Sequence, residues 1–78
     1  MHNVNLRSSV VVALASYLEI LDGEIPSDGI YKVFTGEVER ELFRFVYQHC
    51  GENQTLATKV LGISRATFRK KMTEFGFI

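Results

Sequence analysis

Between Asp28 and Cys50 the chain carries apolar residues on two sides of a single long helical segment, which Gly51 is placed to stop as a left-handed cap. One stripe is Ile30, Phe34, Val38, Leu42, Phe45 and Val46. The other is Val33, Gly36, Phe43, Tyr47 and Cys50, interrupted by Arg40. A helix apolar on two sides must be sandwiched. Only one long helix precedes it and two short ones follow, too little for one copy of the chain to cover both stripes. Two copies suffice. A chain of 78 residues needs such help, because a domain of this size buries only about 60% of the surface its unfolded form exposes. The lone Cys50 removes intramolecular disulfides. His2 and His49 lie far apart with no second Cys or His at ligand spacing, so no zinc pattern and no cofactor are expected. Oligomerisation is what remains.

With 46% hydrophobic and 23% charged residues and one proline, the chain is too apolar for a disordered segment. No apolar run approaches the roughly 18 residues a membrane helix needs, so no membrane partner is expected. Met1 to Arg7 is polar and Val10 to Leu14 is short for a signal peptide, which with the single thiol suggests the cytoplasm. The net charge is zero but polarised. Residues 1–50 carry four cationic and seven anionic side chains, a balance of −3; residues 51–78 carry five and two, a balance of +3. The basic end is the one suited to a polyanion.

A first helix is predicted from Leu6 to Leu21, with Leu6, Val10, Ala13, Leu14, Tyr17, Leu18 and Leu21 at spacings of three and four, ending at Asp22-Gly23. Val11, Val12 and Ile20 widen its apolar face, so contact on more than one side is expected. A loop to Gly29 holds the only proline, with Ser27 or Asp28 as N-cap for the long helix. The residues assigned to the contact between copies are Val10, Leu14 and Leu18 on the first helix, and Phe34, Val38, Leu42, Phe45 and Val46 on the second.

Two short helices follow. Asn53 caps one that runs to Leu61, with Leu56, Ala57, Val60 and Leu61 as its apolar set. Ser64 caps another, with Ala66, Phe68, Met72 and Phe75 on its core side and Gly76 as its stop. A helix, the turn Gly62-Ile63-Ser64 and a second helix with a basic outer face form the pattern of a helix-turn-helix. Ala57 is small where the helices cross, and Ile63 plugs the gap between them. Arg65 and Thr67 sit in the first turn of the second helix, the part that reaches base edges, and Arg69 lies one turn on. Arginine bridges O6 and N7 of guanine, whereas Lys70 and Lys71 suit phosphates, as do the backbone amides at Asn53. The candidate contacts to double-stranded DNA are therefore Asn53, Thr55, Ser64, Arg65, Thr67, Arg69, Lys70 and Lys71. Catalysis is not expected. There is no Ser-His-Asp set and no phosphate-binding loop, and Glu37, Glu39 and Glu41 stand at alternate positions, so that each points to a different side of the helix from the next, and no small-molecule substrate is implied.

Asn53-Gln54-Thr55-Leu56-Ala57 followed by Leu61-Gly62-Ile63-Ser64-Arg65-Ala66-Thr67-Phe68-Arg69-Lys70-Lys71 resembles the factor-for-inversion-stimulation (Fis) family of bacterial nucleoid proteins. The same motif ends the NtrC-type enhancer-binding activators. Upstream, Gly29-Ile30-Tyr31, Glu37-Val38-Glu39 and Leu42 resemble the long second helix of free-standing Fis proteins, and the likeness runs from about Leu6 to Gly76. It implies a homodimer with interlocked long helices that binds degenerate duplex sites and bends them. Three departures stand out. Glu41 occupies a place where the family commonly has a helix-kinking proline. Glu52 and Leu56 stand where basic residues are frequent. Only Met1 to Asn5 precede the first helix, so the family's N-terminal recombinase-contacting arm is not expected.

The resulting expectation is an all-α protein of four helices over residues 1–78: long helices 1 and 2 within 6–50 forming an intertwined dimer core, and a helix-turn-helix at 53–76. Two alternatives stand beside a nucleoid-associated, transcription-regulating DNA binder. One is the detached DNA-binding tail of an NtrC-type activator. The other is a helical adaptor that uses the turn only as scaffold.

Overall fold

A computed structural model describes residues 5–78; residues 1–4, which include His2 and the start of the expected domain, lie outside the described residues. Every regular element described is a helix: α1 (Leu6–Leu21), α2 (Gly29–His49), α3 (Gln54–Leu61) and α4 (Arg65–Phe75). The all-α class and the four expected helices are thus the ones observed. No helix among the described residues is long and apolar enough to cross a membrane. The chain divides into two compact units, residues 1–34 and 35–78.

In the first unit α1 is opened by Asn5, whose Oδ1 accepts from the Ser8 N–H at 3.1 Å. It closes at Asp22, which takes the left-handed conformation and donates its N–H to the Glu19 carbonyl. Val10, Leu14, Tyr17 and Leu21 recur at helical spacing and are half-buried. The Tyr17 ring meets Phe34 edge-on with centroids 5.9 Å apart. No α1 residue is fully buried, and Leu6, Val11, Val12, Leu18 and Ile20 stay exposed. Before α2, the Gly29 N–H donates to the Pro26 carbonyl at 2.8 Å. Ser27 and Asp28, expected as caps, lie inside that turn.

The second unit holds the buried core: Phe43, Ala57, Phe68 and Met72, with Val46, Tyr47, Cys50, Leu61, Ile63, Phe75 and Phe77 packed around them. Phe43 stacks on Phe68 at 5.9 Å and meets Phe75 edge-on at 5.6 Å, so α2 is joined to α4 through rings. α2 runs without a break through Glu41, whose carboxylate pairs with Arg44. The chain then turns on two successive left-handed residues, Gly51 at φ 64° and Glu52 at φ 62°.

Three parts of the expected packing are corrected. Val46 belongs with Phe43, Tyr47 and Cys50 on the covered side of α2 rather than with the open stripe. At about 3.6 residues per turn it sits only some 60° from Phe43, whereas Val38 and Phe45 fall on the opposite side. On α3 only Ala57 and Leu61 face the core, while Leu56 and Val60 are exposed, because its apolar arc is wider than the face α4 covers. Ala66 is exposed too. It lies away from the face that Phe68, Met72 and Phe75 bury.

Candidate nucleic-acid interface

In the α3–turn–α4 motif each helix start is held by a side chain and each helix end by a glycine backbone. Asn53 Oδ1 accepts from the Leu56 N–H at 3.0 Å and starts α3. Gly62 ends it at φ 74°, with its N–H on the Thr58 carbonyl at 2.8 Å. A Cβ there would meet nothing within 4 Å, so glycine is required by the backbone conformation and not by space. Ile63 donates its N–H to the same carbonyl and packs against the core. Ser64 then opens α4. Its Oγ accepts from the Thr67 N–H at 3.1 Å while its hydroxyl donates to Thr67 Oγ1 at 2.9 Å. The residues of greatest consequence for the crossing are fully buried: Ala57 on α3, and Phe68 and Met72 on α4.

Burying Phe68, Met72 and Phe75 on one side of α4 leaves Ala66, Lys70 and Thr73 on the side farthest from the core, flanked by Arg65 and Arg69 toward α3. All five are exposed. Arg65 Nη1 donates to Thr55 Oγ1 at 3.1 Å, and Arg69 Nη1 donates to Gln54 Oε1 at 2.9 Å. Both arginines are therefore braced by the first turn of α3. Lys70 has no ion pair among the described residues. Lys71, on the opposite flank, is half-buried and pairs with Glu39 of α2 at 3.1 Å.

The motif thus brings Arg65 onto Thr55, while Arg69 meets Gln54, Ser64 and Thr67 bond to each other, Asn53 caps α3 and Lys70 is exposed on the outer side of α4. Asn53, Ser64 and Thr67 act in the helix caps. Lys71 is drawn away toward α2. Gln54, Ala66 and Thr73 join the surface without having been singled out. The acceptor on Gln54 is invisible until α4 is laid across α3, but a helical wheel centred on Phe68 and Met72 would have put Ala66 and Thr73 outside.

Of the residues expected between copies, Val38, Leu42 and Phe45 are about half exposed or more, at 51%, 49% and 61%, and Leu18 is 53% exposed. Val10, Leu14 and Phe34 are half-buried within the first unit. Val46 is half-buried against the core of the second.

The profile of the family described as bacterial regulatory protein, Fis family, matches residues 35–75. That span takes in most of α2 and the whole helix-turn-helix up to Phe75. Among characterised relatives, the DNA-binding protein Fis of Glaesserella parasuis is 41% identical over 71 residues, covering 91% of this chain and 71% of its own length. The protein of that name from Mannheimia haemolytica is 40% identical over 74 residues, covering 95% and 74%. The one from Histophilus somni is 42% identical over 74 residues, covering 95% and 74%. With the profile covering most of α2 and the motif, and the relatives aligning over nine-tenths or more of the chain, the chain belongs to the Fis family of bacterial regulatory proteins.

Proposed function

We propose that the chain is a homodimeric DNA-binding and DNA-bending regulator of the nucleoid-associated kind, acting in the cytoplasm on duplex sites of degenerate sequence. Residues 6–50 supply the dimerisation helices and 53–76 the DNA-binding motif. The observation that carries the reading is the exposed face of α4, where Arg65, Arg69 and Lys70 surround Ala66 and Thr73 on a helix anchored from behind by two fully buried side chains. A helix of this kind fits the major groove, with its first turn at the base edges. The names of the relatives point the same way.

The roles divide by chemistry. Arg65 lies at the first position of α4 and presents a planar fork suited to guanine. Lys70 is a compact charge suited to a phosphate. The N–H groups at the start of α3 add a second phosphate contact beside the groove. Dimerisation is supported by the apolar side chains that neither unit covers by itself: Val38, Leu42 and Phe45 in one, and Val11, Val12, Leu18 and Ile20 in the other. Two copies present two motifs, and two half-sites read at once favour a bent duplex when the motifs do not match the straight groove spacing.

Arg65→Ala should cost about 1 to 3 kcal/mol at one base position and relax preference there, whereas Lys70→Ala should weaken binding to all duplexes alike. Selection from random duplexes, with sequencing of the bound pool, separates the two. An Arg65→Ala variant that weakened every duplex equally and kept the parent's preference pattern would remove Arg65 from base reading.

A further inference from the structure

The two flanks of α4 restrain their cations with different chemistry. On the α2 side Lys71 meets a carboxylate, Glu39, and its charge is neutralised where it stands. On the α3 side Arg65 and Arg69 meet neutral acceptors, the Thr55 hydroxyl and the Gln54 side-chain carbonyl. A neutral acceptor fixes direction and leaves the charge intact. Arg69 spends one of its five N–H donors on Gln54 and keeps the rest of the fork for a ligand. Its own side chain is exposed, while Gln54 is half-buried in the first turn of α3 beside the Asn53 cap. The long, mobile arginine is thus aimed by a partner that is itself confined.

We propose that Gln54 is a positioning residue for Arg69, fixing where that guanidinium meets the duplex and so setting sequence preference through Arg69 rather than by a contact of its own. The inference rests on the DNA-binding reading above. Binding by a pre-aimed side chain loses less conformational freedom than binding by a free one, and the benefit is largest where geometry is strict. A base edge is strict; a phosphate accepts a cation from many directions. Loss of the brace should therefore reduce discrimination more than general affinity.

The test is a double-mutant cycle on the full chain with Gln54→Leu and Arg69→Ala, read as the affinity ratio between a selected duplex and a random one. Gln54→Leu should lower that ratio about 3- to 10-fold in the parent and leave it unchanged in Arg69→Ala, as coupling between touching residues requires. Gln54→Glu is the companion variant. It keeps the acceptor, so the preference pattern should persist, while the added carboxylate neutralises Arg69 and reduces the salt slope of binding by about 0.9 per subunit. Should Gln54→Leu fail to fold by thermal melting, the Gln54→Glu slope decides alone. Equal loss of preference in both backgrounds, no loss with Gln54→Leu, or an unchanged slope with Gln54→Glu would overturn the role. A parent chain that binds no duplex at low salt would overturn the DNA-binding reading itself, and is distinguished by appearing before any substitution is made.

Discussion

Phe45→Asp is expected to abolish the dimer and the folded state together. Phe45 is 61% exposed within one copy of the chain and, among the described residues, its ring stacks on His49 at 5.8 Å. In an isolated protomer the substitution therefore removes little packing, and the difference in helix propensity is at most about 0.7 kcal/mol. Its large effect arises only where a second copy covers the stripe of Val38, Leu42 and Phe45. There an unpaired carboxylate would be buried at a cost of several kcal/mol, raising the dimer dissociation constant by more than about 100-fold. Because α1 holds no fully buried residue, the protomer has little to keep that helix in place once its partner leaves. Sedimentation and far-ultraviolet circular dichroism should lose the dimer and the helical signal in one transition. A well-folded monomer, in the parent or in the variant, would rule out interlocked subunits.

Phe68→Ala should unfold the helix-turn-helix. Phe68 is fully buried, stacks on Phe43 at 5.9 Å and lies 6.0 Å from the Tyr47 ring, so it joins α4 to α2. Truncating a buried phenylalanine costs about 3 to 5 kcal/mol through lost transfer energy and the cavity left behind. A small domain whose total stability is of order 5 to 15 kcal/mol tolerates little of that. The core of this unit has four buried members, and Phe68 is one of the two large side chains among them that are fully buried. Chemical denaturation should show the loss directly. Phe68→Leu, which restores most of the volume, should recover most of it.

The helices were legible because their ends carry their own signals. Asn5, Asn53 and Ser64 accept the N–H three residues on, and Asp22, Gly62 and Gly76 stop their helices in the left-handed conformation. Apolar character alone does not tell which side chains are buried. Ala66, Leu56 and Val60 are apolar yet outside the core, since what is buried depends on the arc the neighbouring helix covers. Val46 could have been placed from its angle to Phe43, but that required knowing which stripe α3 and α4 would cover. The Lys71–Glu39 pair spans 32 positions and Arg69–Gln54 spans 15, and neither spacing has a local signature. Glu52 at φ 62° gives no warning in its residue type, because Asn or Gly is the usual occupant of that conformation.

The salt dependence of duplex binding tests the polarised, dimeric DNA binder most directly. Arg65, Arg69 and Lys70 are exposed on each copy, and Lys71 is tied to Glu39. Three cations per subunit brought into the duplex's counterion atmosphere, Arg65 and Arg69 at base edges and Lys70 at a phosphate, at about −0.9 for each charge neutralised, give a slope of log affinity against log salt near −5 for a dimer. Steepening toward −7 would mean only that Lys71 leaves Glu39 to join them. The measurement is a fluorescence anisotropy titration of a labelled duplex across a range of salt concentrations, with stoichiometry fixed by sedimentation. A slope near −5 with two chains per duplex is the expected result. No binding at low salt, or a slope near zero with one chain per duplex, would contradict it.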